Sequence, residues 1–274
     1  MKKQFLIMIS LLLLFISGCQ SNKTEAAFSP RKETAIPIIL VPGTNATEDR
    51  FDEFTDDLKI SYLHKADALK VTVKKDQTLS YSGKALTSKN HRPFIVIAFE
   101  DNSEKGILKQ AEWLAIALND LYEKYHFSTF DAIGHSNGGL VLTNFLEYHS
   151  TEIEPHLRKL VTVSTPYNDT DEKDNGSAHN LKKLPKKTNL LQTFIDRKGF
   201  IPKSISVLNI TGDLKNNHVS DGIVPVNSAL AGELIYKGTV SSYSSKIYNG
   251  NDTGHSDILS NKHVQTRIIH FLFK

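Results

Sequence analysis

The sequence predicts an α/β fold: a mostly parallel sheet with helices on both faces. Three observations carry this. Short apolar runs recur at 36–41 (IPIILV), 94–99 (FIVIAF), 130–134 (FDAIG), 160–164 (LVTVS) and 205–210 (ISVLNI). Each has strand length and is bounded by turn-forming or polar residues, as a strand buried on both faces requires. Helical periodicity lies between them, most strongly over 105–125. Strands separated by helix-length segments pair in parallel through right-handed crossovers, which distributes the helices over both faces.

The elements follow in order. The chain has 274 residues, enough for a domain with a sizeable core. Residues 1–18 read as a signal peptide. Lys2 and Lys3 are followed by an apolar stretch, 5–16, interrupted only by Ser10. That stretch is too short to span a bilayer. The sequence Ile16-Ser17-Gly18-Cys19 resembles a bacterial lipobox, which implies cleavage before Cys19 and a lipid on its thiol. Such acylation would attach the protein to a membrane without a transmembrane segment. Cys19 is the only cysteine, so no intramolecular disulfide forms. Residues 19–34 are polar and read as a flexible tether, and residues 35–274 as one domain.

Within the domain, 36–41 is a buried strand ending at the turn Pro42-Gly43. The alternation of 69–73 and 78–81 predicts a hairpin. Segment 94–99 is a second buried strand. In the helix 105–125, Ile107, Leu108, Ala111, Leu114, Ala115, Leu118, Leu121 and Tyr122 share the buried face. Strand 130–134 leads into a helix over 137–149, and strand 160–164 stops before Pro166. Residues 167–203 are long, polar and lysine-rich, and are expected to contain some helix or to cap a site. Strands at 205–210 and 240–248 and a helix over 257–273 complete the chain.

Charge excludes some partners. The 33 Lys and Arg and 30 Asp and Glu give a net charge of +3, and Lys2 and Lys3 account for most of it. A near-neutral chain without a long basic run makes no electrostatic case for nucleic acid. Neither G-x-x-x-x-G-K-[ST] nor G-x-G-x-x-G occurs, so no phosphate or dinucleotide cradle is expected. No His/Cys cluster suggests zinc. Asp169 to Asp174 fails the calcium-loop pattern, with Lys173 at its fifth position. No cofactor and no metal are therefore expected.

The most informative stretch is Gly134-His135-Ser136-Asn137-Gly138-Gly139. It matches G-x-S-x-G between a strand and a helix. That spacing lifts a serine hydroxyl out of a sharp, strained turn, while the glycines keep side chains from colliding with neighbouring backbone. The following helix points its N-terminal amides at the reacting oxygen. His135 adjoins the nucleophile on the turn and is expected to point away from it.

On these residues the chain resembles the α/β-hydrolase fold superfamily. In detail it is similar to a group of largely uncharacterised cell-surface lipoprotein hydrolases of Gram-positive bacteria, over roughly 35–274. The resemblance implies a site at the C-terminal ends of the strands and a triad in the order Ser…Asp/Glu…His. It places the base after the last strand and before the final helix, where Gly254-His255-Ser256 fits; His218 is the reserve. The acid follows strand 205–210, where Asp213 and Asp221 compete. The resemblance favours Asp221, which precedes a glycine, a hydrophobic pair and Pro225 as in the family's acid loop. The loser would be a turn aspartate. One oxyanion donor is the amide of Asn137; the other is the amide of Thr44, in the loop after the first strand, with Asn45 as neighbour. This chain has Pro42-Gly43 where the family usually has His-Gly, which leaves the shape of that loop open.

The expectation is a serine hydrolase anchored outside the cytoplasm. Ser136 is the nucleophile, His255 the base and Asp221 the orienting acid, acting on small or medium acyl esters. An amidase or acyltransferase would use the same residues. A non-catalytic surface-binding lipoprotein on the same scaffold is the alternative.

Overall fold

Alternate residues of a buried strand face opposite sides of the sheet, and here both sides are apolar. In β1 (Ile38–Val41), Ile39 and Val41 join one core, while Ile38 and Leu40 join the other. The computed structural model describes residues 36–58, 68–86, 92–215 and 218–274. The expected signal peptide 1–18, Cys19 and the expected tether 19–34 lie outside the described residues.

The sheet has eight strands in the order β3-β2-β4-β1-β5-β6-β7-β8. Besides β1 these are β2 (Ala68–Val73), β3 (Leu79–Gly83), β4 (Phe94–Phe99), β5 (Thr129–His135), β6 (His156–Val163), β7 (Ser206–Asp213) and β8 (Ser242–Asn249). Every neighbouring pair is parallel except the hairpin β2–β3. This is the mostly parallel sheet with helices on both faces that the sequence predicted.

Helices cover both faces. On one lie α2 (Ile107–Tyr125), α3 (Asn137–Tyr148), α5 (Asn189–Arg197) and α7 (Gly232–Tyr236); the single turn α4 (Glu172–Asn175) precedes α5, and α6 (Val226–Leu230) precedes α7. On the other, Phe54 and Leu58 of α1 (Asp52–Leu58) and Val264, Ile268 and Leu272 of α8 (Lys262–Phe273) pack on Phe94, Ile133 and Leu208. Among the described residues, no helix is long and apolar enough to cross a membrane.

Three details differ from the sequence expectation. Leu108 is 60% exposed rather than part of the buried face of α2. Adjacent helical residues point about 100° apart, and Ile107 takes the buried direction. The last helix is broken: a 3₁₀ turn, Asp257–Leu259, precedes Asn261, whose side chain accepts from the amides of His263 and Val264 and caps α8. Asp213 ends β7 rather than following it.

The polar segment 167–203 is built into the fold. Asn168 is fully buried; its amide donates to Asn175 Oδ1 (3.0 Å) and Lys186 O (2.9 Å), and its Oδ1 accepts from the Thr188 amide (2.8 Å). Asn227 of α6 joins this network by donating to Asn175 O (3.0 Å). Leu191 and Phe194 of α5 enter the main core.

Glu147, near the end of α3, is 3% exposed, and neither of its carboxylate oxygens has a partner among the described residues. Burial pushes its carboxyl up to about 8, against the partial relief of Arg197. The folded state therefore keeps a proton that the unfolded chain releases above its ordinary value of 4.5. Stability falls as pH rises between those two values, by on the order of a few kcal/mol once both are passed. Glu147→Gln removes this titration. The Tm advantage of the variant over the wild type should widen steadily from pH 5 to pH 8.5; a gap independent of pH would refute the assignment.

Candidate active site

The strand-to-helix turn after β5 holds Ser136 at φ 55°, ψ −132°. This is a left-handed conformation that a non-glycine residue adopts only under constraint, at about 1–3 kcal/mol. The constraint is visible around it. The Ser136 amide donates to Val163 O of β6 (2.8 Å), and its carbonyl accepts from the Gly139 amide (3.0 Å). At Gly138 an added Cβ would lie 2.1 Å from Val41 O, so only glycine lets α3 pass the end of β1. At Gly43 an added Cβ would meet Ser136 Cβ at 2.7 Å. The loop after β1 thus lies directly against the serine.

The structure brings the predicted residues together. His255 Nε2 is 3.0 Å from Ser136 Oγ, and His255 Nδ1 is 2.9 Å from Asp221 Oδ2. The other carboxylate oxygen of Asp221 accepts from the amides of Ile223 (3.0 Å) and Val224 (2.7 Å). Asp221 is 1% exposed. Burial alone would raise its carboxyl, but the hydrogen bond and charge of His255, with the Val224 amide, outweigh burial and hold it below its usual value. The glycine at 222 has φ 96°, which turns the acid loop back so that it delivers both amides to one oxygen.

The competing residues have other employment. Asp213 Oδ2 pairs with His179 Nε2 (2.8 Å), and its Oδ1 accepts from the Lys215 amide (2.8 Å), an aspartate closing its own turn. His218 Nδ1 lies 3.2 Å from Glu172.

Thr44 and Asn137 both line the cleft beside Ser136, and Asn137 Nδ2 donates to Thr44 Oγ1 (2.6 Å). That bond ties the loop after β1 to the start of α3. The neighbouring Asn45 amide donates to Asn102 O (3.1 Å) and is thereby occupied.

The cleft over Ser136 encloses about 740 Å³. Its lining mixes polar side chains, Thr47, Asp49, Arg50, Glu104 and Ser256 among them, with the apolar Ala46, Pro166, Ile223 and Val224. Of the segment 167–203, Thr170 alone lines it. Ile223 is 58% exposed at the rim. Among the described residues no group of three or more His, Cys, Asp or Glu side chains is placed to hold a metal ion.

His135 points away from the nucleophile as expected, but its partner, like that of Arg50, was not foreseen from the sequence. His135 is 3% exposed and directs Nε2 to the carbonyl of His255 (2.7 Å), away from the Ser136 hydroxyl. Arg50 Nη2 donates to Ser256 O (2.9 Å) across 206 positions of chain. Neither partner carries a local signal, because each is a main-chain oxygen whose place only the fold determines.

Comparison with known proteins agrees with this architecture. Residues 26–274 match the model of a family described as alpha/beta hydrolase of unknown function (DUF915). A crystal structure of a gene product from Listeria innocua is 36% identical, covering 88% of this chain and 94% of that one, with a TM-score of 0.81. A protein of Lactobacillus plantarum, provisionally designated a cell surface hydrolase, is 35% identical over 88% of this chain and 93% of its own, with a TM-score of 0.73. A lipase-esterase related protein from Clostridium acetobutylicum shares the fold at 13% identity and a TM-score of 0.52, over 87% of this chain and 95% of its own. No curated protein matches.

Proposed function

Because the chain belongs to this family of alpha/beta hydrolases, we propose that it is a serine hydrolase that cleaves carboxylic esters through an acyl-enzyme. The observation that carries the proposal is the unbroken hydrogen-bond chain Ser136 Oγ–His255–Asp221 at the floor of an open cleft. Ser136 Oγ attacks the acyl carbonyl as His255 Nε2 takes its proton. The tetrahedral oxygen, now negative, is met by the amides of Thr44 and Asn137. His255 returns the proton to the departing alkoxide, and the alcohol leaves. A water then attacks the acyl-enzyme with His255 again as base, releasing the acid and restoring Ser136. Asp221 keeps the imidazole proton on Nδ1 throughout, so that Nε2 is free to accept.

The cleft favours a small or medium acyl group. Its apolar side chains, Ala46, Pro166, Ile223 and Val224, are few and interspersed with Thr47, Asp49, Arg50 and Glu104. A bulk triglyceride would need a longer apolar trough.

The second part of the proposal is location. Cys19 behind a short apolar leader supports a lipid anchor, with residues 19–34 as the tether that lets the domain stand off a membrane.

One experiment addresses both parts. Cells expressing the full chain are treated with a fluorophosphonate probe and fractionated. The probe is expected on Ser136 by peptide mass analysis, in the membrane fraction, and Cys19→Ala should move the labelled protein to the soluble fraction. A chain that neither labels nor hydrolyses short aryl esters would refute the hydrolase. Labelled Cys19→Ala protein retained on the membrane would refute the anchor.

A further inference from the structure

The histidine of the triad stands on a segment with little of its own to hold it. After Gly254 the chain runs through His255, Ser256 and Asp257, of which the last two are exposed, before Ile258 and Leu259 re-enter the core. Upstream, Thr253 is buried and fixed by its hydroxyl to Asp213 O (3.0 Å). Between these anchors, the main chain at 255 and 256 is held from outside. The His255 amide donates to Asp221 O (2.8 Å), its carbonyl accepts from His135 Nε2 (2.7 Å), and the Ser256 carbonyl accepts from Arg50 Nη2 (2.9 Å).

We propose that His135 and Arg50 are positioning residues: together they clamp the backbone that carries His255 and so set its distance and aim at Ser136. The proposal rests on the triad assignment above. A shift of about 1 Å in a reacting group can cost roughly 10²-fold in rate, so two side chains fixing consecutive carbonyls have a large lever.

His135 is suited to the task by its place. It is the residue before Ser136, on the same rigid turn at the end of β5, so one short stretch of chain holds both the nucleophile and the grip on its base. A carbonyl oxygen only accepts, which puts the His135 proton on Nε2. Burial, with the nearby His255, pushes the His135 imidazole down to about 3, so it stays a neutral donor. Neutrality matters because its ring lies 4.9 Å from that of His255. A cation there would oppose the imidazolium that forms when Ser136 gives up its proton.

Arg50 grips from the other side. It sits in a 3₁₀ turn, Glu48–Phe51, whose Phe51 is buried in the core beside α8. Lys70 of β2 ties the turn to the sheet through Asp49 (2.6 Å) and through Asp52 (2.7 Å), the first residue of the adjoining α1. The guanidinium therefore reaches Ser256 from a fixed base.

The test compares removal of each donor with its conservative replacement in the full-length protein. His135→Phe removes the donor, whereas His135→Gln places an amide N–H near the position of Nε2. Arg50→Met and Arg50→Lys form the second pair. The readouts are the rate of fluorophosphonate labelling and kcat and KM on a neutral aryl ester. His135→Phe should slow labelling and kcat by roughly 10–100-fold with KM within about threefold, and His135→Gln should recover most of the loss. Arg50→Met should slow both by about 3–10-fold, with partial recovery in Arg50→Lys. Labelling of His135→Phe at the wild-type rate, or a glutamine variant no better than phenylalanine, would overturn the clamp. If His135→Phe does not fold, the Arg50 pair decides alone, and wild-type labelling by Arg50→Met overturns the proposal. Failure of the wild type itself to label would refute the triad rather than the clamp.

Discussion

Ser136→Ala is expected to lower turnover of a short aryl ester by roughly 10⁴–10⁶-fold while leaving Tm within about 1 °C of wild type. Alanine keeps the Cβ, and with it the strained backbone at φ 55°, so the fold feels little change. Ser136→Gly should lose activity equally but behave differently in stability. Glycine occupies this region of φ/ψ without the Cβ clash, which releases about 1–3 kcal/mol of strain. Against that stands up to about 1 kcal/mol for the added freedom of glycine in the unfolded chain. The net gain is about 1 kcal/mol, or roughly 2–4 °C in Tm for a domain of this size. The pair of variants separates the two roles of the residue. In the proposed mechanism its hydroxyl serves chemistry, while its conformation is a stability penalty that the surrounding hydrogen bonds sustain. A glycine variant less stable than the alanine variant would show that the turn is not strained.

Much of this site was legible in the sequence because its parts are local. The elbow spans six residues, and its serine and glycines have steric or chemical reasons given by the pattern itself. The fold supplies the particular contact, as at Gly138, where any side chain would strike the carbonyl of Val41. The residues proposed as base and acid were singled out through resemblance, since Gly254-His255 and Asp221-Gly222 stand at expected places after the last strands, and the structure brings them beside Ser136. Elements too short to show a period were not legible. Helix α6 has five residues, Val226–Leu230, all buried, Asn227 and Ser228 included, so it lacks the polar face that marks an amphipathic helix. Helix α1, with seven residues and four acids, reads as solvated loop, yet Phe54 and Leu58 lie in the core.

Polarity also misleads in the segment 167–203. Its asparagines look like surface, and three of the network's residues, Asn168, Asn175 and Asn227, are fully buried. Their amides satisfy irregular backbone that no helix or strand serves, which is a long-range role that composition does not reveal. The same holds for His135 and Arg50. Each donates to a carbonyl more than a hundred residues away, so its function exists only once the sheet has brought those loops together.

Asp221→Asn should cut kcat by about 10⁴-fold, and Asp213→Asn by no more than about threefold. The size of the first effect follows from how the carboxylate is held. Asp221 Oδ1 accepts from two amides, those of Ile223 and Val224, and Oδ2 faces His255 Nδ1. An asparagine in that place must keep its oxygen toward the two donors, because an NH₂ group there would set donors against the two amides with no acceptor between them. Its NH₂ group then faces His255 and donates to Nδ1. The imidazole is forced into the tautomer with the proton on Nε2, aimed at Ser136 Oγ, where it can no longer take the serine proton. The geometry of the site survives and its chemistry does not. Asp213 touches neither ring nitrogen of His255; it binds His179 and the Lys215 amide, and its loss loosens that turn by about 1 kcal/mol. Steady-state kcat for the two variants on one neutral aryl ester, with Tm measured beside it, checks the assignment. Loss of turnover in Asp213→Asn with retention in Asp221→Asn would reverse it.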